Sequence, residues 1–426
     1  MVYNRQQTIM KRHLLTLFLA LAVSVGTLFA QSGTCGTNLT WTLDTESGIL
    51  TISGTGAMKD YTYSSKPNTP WYSYRESIAS VVISDGVASI GTYAFYGCSS
   101  LTSITIPSSV TTIGNYAFNY CSSLTSLTIG ESVTSIGSYA FRGCSSLTSV
   151  IWNAKKCNDF SSFNTSFYYY KSGSSYNFDH RKQITSFTFG DDVESIPAYL
   201  CSGMSNLTYI TIPNSVTIIG SFAFNDCGKI TSDLNLSSVT SIGECAFRNC
   251  SNITSDLNLN NVETIGQQAF LGCSSLTKVV IGDGATSIGE RAFSGCTYLE
   301  DITIGSSINV ENGIGQYAFI GCRYLLSVTC KAVFPPALNA NVFEGCGVLS
   351  KIDLYVPEES IKKYQKAEVW SEFNIIGKNL DDSNIDAVEN IFYNQDTHDL
   401  YKYLRNGLLF IERNGITYTA QGQRID

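Results

Sequence analysis

Histidine is nearly missing from this chain of 426 residues, which holds three. Only His180 and His398 stand outside the first thirty residues. No two cysteines have the C-x₂-C spacing of a zinc site, so no metal centre is expected and no cofactor is assigned. Charge is scarce as well. Asp, Glu, Lys and Arg make up 15%, against about a quarter in ordinary globular chains, and Ser and Thr fill the gap. The net charge of −8 becomes −11 when Arg5, Lys11 and Arg12 leave with the first thirty residues. With no basic stripe, nucleic acid is excluded as a partner and anionic membrane surfaces are poor ones. Phosphate loops, paired catalytic carboxylates and a serine-hydrolase elbow are also lacking.

Long apolar runs are confined to the amino terminus. Lys11-Arg12-His13 precedes Leu14–Ala22, which continues to Phe29, and Ala30 supplies the small residue of a cleavage site. Residues 1–30 therefore read as a signal peptide, with Met10 as an alternative start that gives the basic segment its usual length. A retained anchor is the competing reading, but the run falls short of a span of about 20 residues. Ser32-Gly33-Thr34 before Cys35 is not a lipobox, so no lipid anchor is expected. The expectation is an exported chain, secreted or on the cell surface, with no membrane span after signal removal.

What the chain does contain is repetition. VTSIGSYAFRGCSSLTSVIW (133–152) follows its near-copy VTTIGNYAFNYCSSLTSLTIG (110–130) at an offset of 23 residues, and the offset recurs. A period of this length marks a solenoid. An apolar triplet spaced +3 and +2 (Leu101/Ile104/Ile106, Leu124/Leu127/Ile129) can be followed through twelve copies, ending at Leu349/Ile352/Leu354. Its last two members flank an outward residue, as a half-buried strand requires. An Ala-Phe pair, then Cys three residues after Phe, predicts a short helical turn. The residue before that Cys position is Gly at 97, 143, 203, 272, 295, 321 and 345, Asp226 or Asn249, which predicts a left-handed cap; Tyr120 alone breaks the rule.

The fold class is thus an α/β repeat solenoid with a parallel sheet on one face and helical or irregular turns on the other. Residues 31–77 read as an amino-terminal β-hairpin cap, because LTWTLDTESGILTISGTGAM alternates around a turn. The array occupies 78–356, and the aromatic stretch 153–183 interrupts it as one degenerate coil plus a protruding loop, or as a poorly conforming coil alone. Residues 357–377 read as a helical cap, 378–399 as a linker, and 400–426 as a β tail around Asn414-Gly415.

Of fourteen cysteines, nine recur at one register position and Met204 fills the tenth. A position that accepts Met calls for apolar volume, so these cysteines are expected to pack as small hydrophobes, with occasional disulfides between stacked coils as the alternative. Cys157 and His180 share the 153–183 stretch and form the sole candidate nucleophile pair, against the plainer reading of a polar loop with a chance cysteine. Outward strand positions are the better candidates for a binding surface. Thr105, Thr128, Thr188 and Thr211 form hydroxyl columns that suit a flat recognition surface, even one for ice, although Thr also simply suits exposed strands. Further along these positions diversify to Tyr209, Lys278, Glu300, Asp301, Lys351 and Asp353.

The unit LTSITIPSSVTTIGNYAFNYCSS resembles the leucine-rich repeats of BspA-like bacterial surface proteins, and CGTNLTWTLDTESGILTISGTGAM is similar to the segment that precedes such arrays. The resemblance covers Cys35 to Gly377. It implies a leucine-rich-repeat solenoid on a secreted or surface protein and adhesion to host or matrix proteins; it implies no catalytic residues. The chain departs from the common pattern where an Asn ladder would stand: Ser109, Ser132, Ser215, Ser238 and Ser307 occupy it, and Asn261 alone matches. The tail YLRNGLLFIERNGITYTAQGQRID is similar to carboxy-terminal sorting tails of exported Bacteroidota proteins. The leading expectation is a non-enzymatic protein that binds an extracellular protein or glycan, host matrix protein included. An enzyme using Cys157 and His180, or a structural envelope component, are the alternatives.

Overall fold

The computed structural model describes residues 30–160, 167, 180–254, 256–311, 313–339, 341–380, 400–405, 408–413 and 416–419. The expected signal peptide before Ala30, most of the 153–183 stretch and linker residues 381–399 lie outside them, as do Asn414 and Gly415. Two compact units divide at Ser238 and Val239.

The first unit begins with strands Ala30–Thr34, Leu39–Asp44 and Ile49–Gly54, paired antiparallel. Leu39, Trp41 and Leu43 alternate inward with exposed Thr40, Thr42 and Asp44, the period-2 pattern of a sheet with one buried face. The connecting turn closes on Asp44, whose carboxylate accepts from Glu46 N at 3.0 Å and Ser47 Oγ at 2.6 Å. Ile49–Gly54 then pairs in parallel with Ser80–Ile83, so the array grows directly from this sheet. One row of parallel strands follows: Ser103–Thr105, Ser126–Ile129, Ser149–Trp152 and Ser186–Phe189. A second row sets Val87–Ile90 beside Thr112–Ile113 and Ser135–Ile136.

The register measures the interruption at 153–183. Ser149 pairs directly with Ser186, 37 residues on, where Ser126 to Ser149 takes 23. Neighbouring strands are therefore joined here by one coil 14 residues longer than the period. Its described residues behave accordingly: Asn158 N bonds Thr134 O at 2.8 Å, and Phe167 stacks on Phe141 at 5.3 Å, so both keep coil positions.

In the second unit, Leu257–Leu259, Lys278–Ile281, Asp301–Ile304, Ser327–Cys330, Asp353–Pro357 and Asn374–Lys378 form one parallel sheet. Ser241–Ile242, Thr264–Ile265 and Ser287–Ile288 form its second row, extended by bridges through Ile314 and Leu338. Here the sequence pattern misleads. Leu354, not Ile352, pairs with Val328, so the final triplet is displaced by two residues and Lys351 falls in the 3₁₀ turn Leu349–Lys351. Within 357–377 the α-helix covers Ile361–Tyr364 alone, and Asn374–Lys378 is a strand, because Ile375 and Ile376 continue the sheet. Residues Leu400–Arg405, Leu408–Arg413 and Ile416–Thr419 form an antiparallel three-stranded sheet.

The expected helical turn at Ala-Phe is not helical. Ten described turns each carry two left-handed residues four apart. The second lies at the position before Cys (Gly97, Tyr120, Gly143, Gly203 and Asp226 in the first unit), as the sequence predicts. Tyr120 joins them at φ 60° despite its side chain. The first was not predicted: Tyr93, Tyr116, Tyr139, Tyr199 and Phe222, then Cys245, Gln268, Arg291, Tyr317 and Asn341 in the second unit, all with φ between 53° and 61°. The hydrogen bonds explain it. Tyr93, Phe95 and Gly97 N–H donate to Asn115, Ala117 and Asn119 carbonyls of the next coil at 2.7–3.0 Å. Ala94, Tyr96 and Cys98 N–H donate three residues back within their own turn. With a left-handed residue at each end of the turn, every second N–H points along the stack. A helix would direct all of them within one coil and leave the coils unbonded.

Inside, the phenylalanines stack: Phe95 on Phe118 at 5.1 Å in the first unit, and Phe247, Phe270, Phe293 and Phe319 at 5.3–5.4 Å with nearly parallel rings in the second. All fourteen cysteines are free thiols and buried. They do more than fill volume. Cys121 Sγ–H donates to Phe95 O and Cys144 to Phe118 O, both at 3.3 Å, and Cys273, Cys296 and Cys346 repeat this onto Phe247, Phe270 and Phe319. Ser109 and Ser215, at the expected Asn-ladder position, donate to Val87 O and Val193 O one coil back at 2.9 and 2.7 Å, so serine performs the ladder's task here.

Candidate binding surface

The outward residues of the strands are the ones the scaffold leaves available. In the first unit, register places Thr105, Thr128, Ile151 and Thr188 side by side, with Tyr209 beside Ser186 in the flanking column. Thr211 is exposed two residues beyond Tyr209, itself 64% exposed. The hydroxyls of Thr105, Thr128 and Thr188 have no partner among the described residues. A neighbouring column is different: Thr125, Thr148, Thr185, Thr208 and Thr231 each donate to the Thr carbonyl one coil back at 3.0–3.5 Å. One Thr column thus joins coils and the other faces out. Ile151, 42% exposed, interrupts the outward column and with it the regular hydroxyl lattice an ice surface needs.

In the second unit the row equivalent to the flanking column of Ser186 and Tyr209 is Lys278, Asp301, Ser327, Asp353 and Asn374. Its polar groups are held in place by one another. Ser327 Oγ donates to Asp301 Oδ1, Asn374 Nδ2 donates to Asp353 Oδ1 at 2.7 Å, and Tyr355 OH donates to Asp353 Oδ2 at 3.2 Å. Partial burial, then the Asp353 carboxylate, raises the Tyr355 phenol above its ordinary pKa, so it stays a donor. The Lys378 ammonium lies 5.1 Å from the Tyr355 ring centre. Glu300 is exposed one residue before the strand, its carbonyl accepting from Leu326 and Ser327 N–H. Lys351 is exposed in its 3₁₀ turn, off the row.

The Cys157 candidate is poorly placed for nucleophilic chemistry. It is 8% exposed, and burial pushes its thiol up to about 12, away from the thiolate a nucleophile needs. Asp159, its acidic neighbour, instead accepts from Ala198 N–H at 2.8 Å. The side chain of His180 lies outside the description. Among the described residues, no three His, Cys, Asp or Glu side chains cluster as metal ligands, and no helix is long and apolar enough to cross a membrane.

Sequence reasoning missed an aromatic surface on the turn side of the first unit. Tyr63, Tyr93, Tyr116 and Tyr139 follow one another at ring distances of 4.9–5.5 Å, and Tyr96 meets Tyr120 edge-on. The recurring Tyr-Ala-Phe was the available signal. In the second unit Tyr298 stacks on Tyr324 at 5.0 Å, near exposed Leu326.

These features define a solenoid of parallel-strand coils whose constant residues are scaffold and whose outward strand residues vary. The family model described as "BspA type Leucine rich repeat region (6 copies)" matches residues 69–173, 171–300 and 263–398. The chain belongs to this family of BspA-type leucine-rich-repeat proteins. Similar solved structures include a leucine-rich repeat protein from Eubacterium ventriosum (23% identity, 80% of this chain and 84% of that one, TM-score 0.37). A leucine rich cell surface protein from Faecalibacterium prausnitzii is 24% identical over 83% of this chain and 96% of its own, with TM-score 0.33. The pneumococcal vaccine antigen PcpA is 17% identical over 83% and 100%, with TM-score 0.31. No curated protein sequence matches the chain.

Proposed function

We propose that this is an exported, non-enzymatic recognition protein of the cell surface that binds an extracellular protein or glycan through its outward strand faces. The observation that carries the reading is the row Lys278–Asp301–Ser327–Asp353–Asn374. Its carboxylates are held by Ser327, Asn374 and Tyr355 in fixed directions, an order that the buried core does not require. Pre-set acceptors of this kind suit sugar hydroxyls or basic side chains, because little side-chain freedom is lost on binding. Export is supported by the basic and apolar segments before Ala30, and attachment by the company of the family.

The test immobilises the mature chain and measures binding to extracellular-matrix extract and to a glycan array. Saturable binding is expected, and Asp301→Asn with Asp353→Asn should weaken it at least about tenfold, the loss of one to two charge-assisted contacts, without a change in melting. Full affinity in the double variant, or no saturable binding to any macromolecule, overturns the proposal. Amino-terminal sequencing of the released protein tests cleavage after Ala30.

A further inference from the structure

Each coil offers its neighbour the same backbone groups, and the last coil still offers them. In the second row, the Ile carbonyl of one coil accepts from the Gly N–H of the next: Gly114 onto Ile90, Gly137 onto Ile113, Gly266 onto Ile242, Gly289 onto Ile265 and Gly315 onto Ile288, at 2.7–3.1 Å. The Ile N–H donates forward as well, as Ile288 does to Gly313 O at 2.7 Å. Leu338 occupies this position in the final coil: it bridges back to Ile314, and Ala337 N–H bonds Val310 O at 2.9 Å. Strand alternation turns Leu338's own N–H and carbonyl to the open side, where neither has a partner among the described residues. Asn341 N–H, whose counterpart Tyr116 donates to Ser138 O at 3.0 Å, is likewise without an acceptor there.

The described residues 357–380 cover only part of this edge. Trp370 and Phe373 pack edge-on against Phe343, and Trp370 Nε1 donates to Pro336 O at 2.8 Å. Beside them remains a cavity of about 580 Å³ walled by Val310, Pro335, Leu338, Asn341, Ala367 and Val369. Val369 holds φ 64°, a costly conformation for a β-branched residue.

We propose that this groove docks an extended peptide of another protein, which adds in parallel to the open edge with the pattern Ser/Thr–aliphatic–Gly–Ser. The groove continues the coil-to-coil interface, so the bonds between coils specify the ligand. The residue before the aliphatic one accepts from Leu338 N–H, the glycine N–H donates to Leu338 O, and the following carbonyl accepts from Asn341 N–H. Glycine is favoured because a Cβ there meets backbone: at Gly289 and Gly315 it would lie 2.5 Å from backbone atoms of the preceding coil, and only Pro197 after Ile196 and Asn339 after Leu338 depart from glycine among the described coils of this row. The inference is independent of the strand-face reading above and concerns a different surface.

The probe is the labelled octapeptide TSIGSYAF, the sequence of residues 134–141, titrated into the full chain by fluorescence polarisation. Saturable binding is expected. The peptide TSIVSYAF should bind at least tenfold more weakly. Ala367→Trp, which fills the groove, and Leu338→Pro, which removes the outward N–H, should each weaken TSIGSYAF at least tenfold with unchanged melting. No saturable binding, equal affinity for TSIVSYAF, or undiminished binding in both well-folded variants overturns the proposal. So does self-association that the peptide abolishes, which would give the edge to a second copy of this chain.

Discussion

Replacing Phe270 by Ala should destabilise the second unit through a disturbance confined to neighbouring coils. Phe270 is 1% exposed and stacked between Phe247 and Phe293, each at 5.3 Å. Loss of a buried Phe side chain costs about 3–5 kcal/mol, the upper part applying where the site cannot collapse. Collapse is restricted here, because coil spacing is fixed by hydrogen bonds such as Phe247 N–H to Ala269 O and Phe270 N–H to Ala292 O, both at 2.8 Å. Contact between stacked rings adds roughly 0.5–1.5 kcal/mol beyond burial. A double-mutant cycle of Phe270→Ala with Phe293→Ala should return a coupling of that size, whereas the cycle with Phe343→Ala, two coils beyond Phe293 in the stack, should return nearly zero, since repeat arrays couple to nearest neighbours. Urea unfolding of the full chain, followed by far-ultraviolet circular dichroism, gives all the values. A cost under about 1 kcal/mol for Phe270→Ala, or equal coupling to Phe293 and Phe343, would refute the nearest-neighbour account.

The thiols make a second prediction: all fourteen should resist a thiol reagent in the native protein and react once it is denatured; several reactive native thiols would contradict their burial. Burial pushes Cys98, Cys144, Cys227 and Cys273 up to about 12, while thiols of the unfolded chain ionise near 9. The unfolded chain therefore holds fewer protons above pH 9. Stability should be flat below that pH and fall as pH rises from about 9 towards 12, by about 1.4 kcal/mol per unit for each such thiol, visible as a falling urea midpoint. Gly289→Ala should cost more than about 2 kcal/mol, the range for overpacking against backbone, because its Cβ would meet Gly266 C and O at 2.5 Å. Gly295→Ala meets nothing closer than 3.9 Å and should cost only the left-handed penalty of about 1 kcal/mol; equal melting temperatures for the two would refute this reading.

The candidate surface was legible where it follows strict period. Thr105, Thr128 and Thr188 could be aligned because each lies between two members of an apolar triplet. The alignment failed at Lys351, where Leu349 and Ile352 imitate a triplet that the sheet does not use: strand pairing is decided by the partner strand Ser327–Cys330, not by local apolar spacing. At 153–183 the period breaks, and the length of that coil came only from the pairing of Ser149 with Ser186.

By itself the sequence determined the coil: its 23-residue period, its buried Phe and Cys positions, and the left-handed corner announced by Gly, Asp or Asn before the Cys position in every coil but that of Tyr120. These are properties of residues acting within one turn, where side-chain volume and φ preference are enough. The tertiary structure decided what passes between coils. Tyr93 and its equivalents are left-handed against the preference of their side chains because the next coil's carbonyls lie where that conformation points the N–H groups. The cysteines are hydrogen-bond donors because the Phe carbonyl of the preceding coil waits 3.1–3.5 Å from the sulfur. Leu338 is an open edge because, among the described residues, no further strand follows it in the row. Each of these contacts joins residues more than twenty positions apart, and only the stacked backbone brings them within bonding distance.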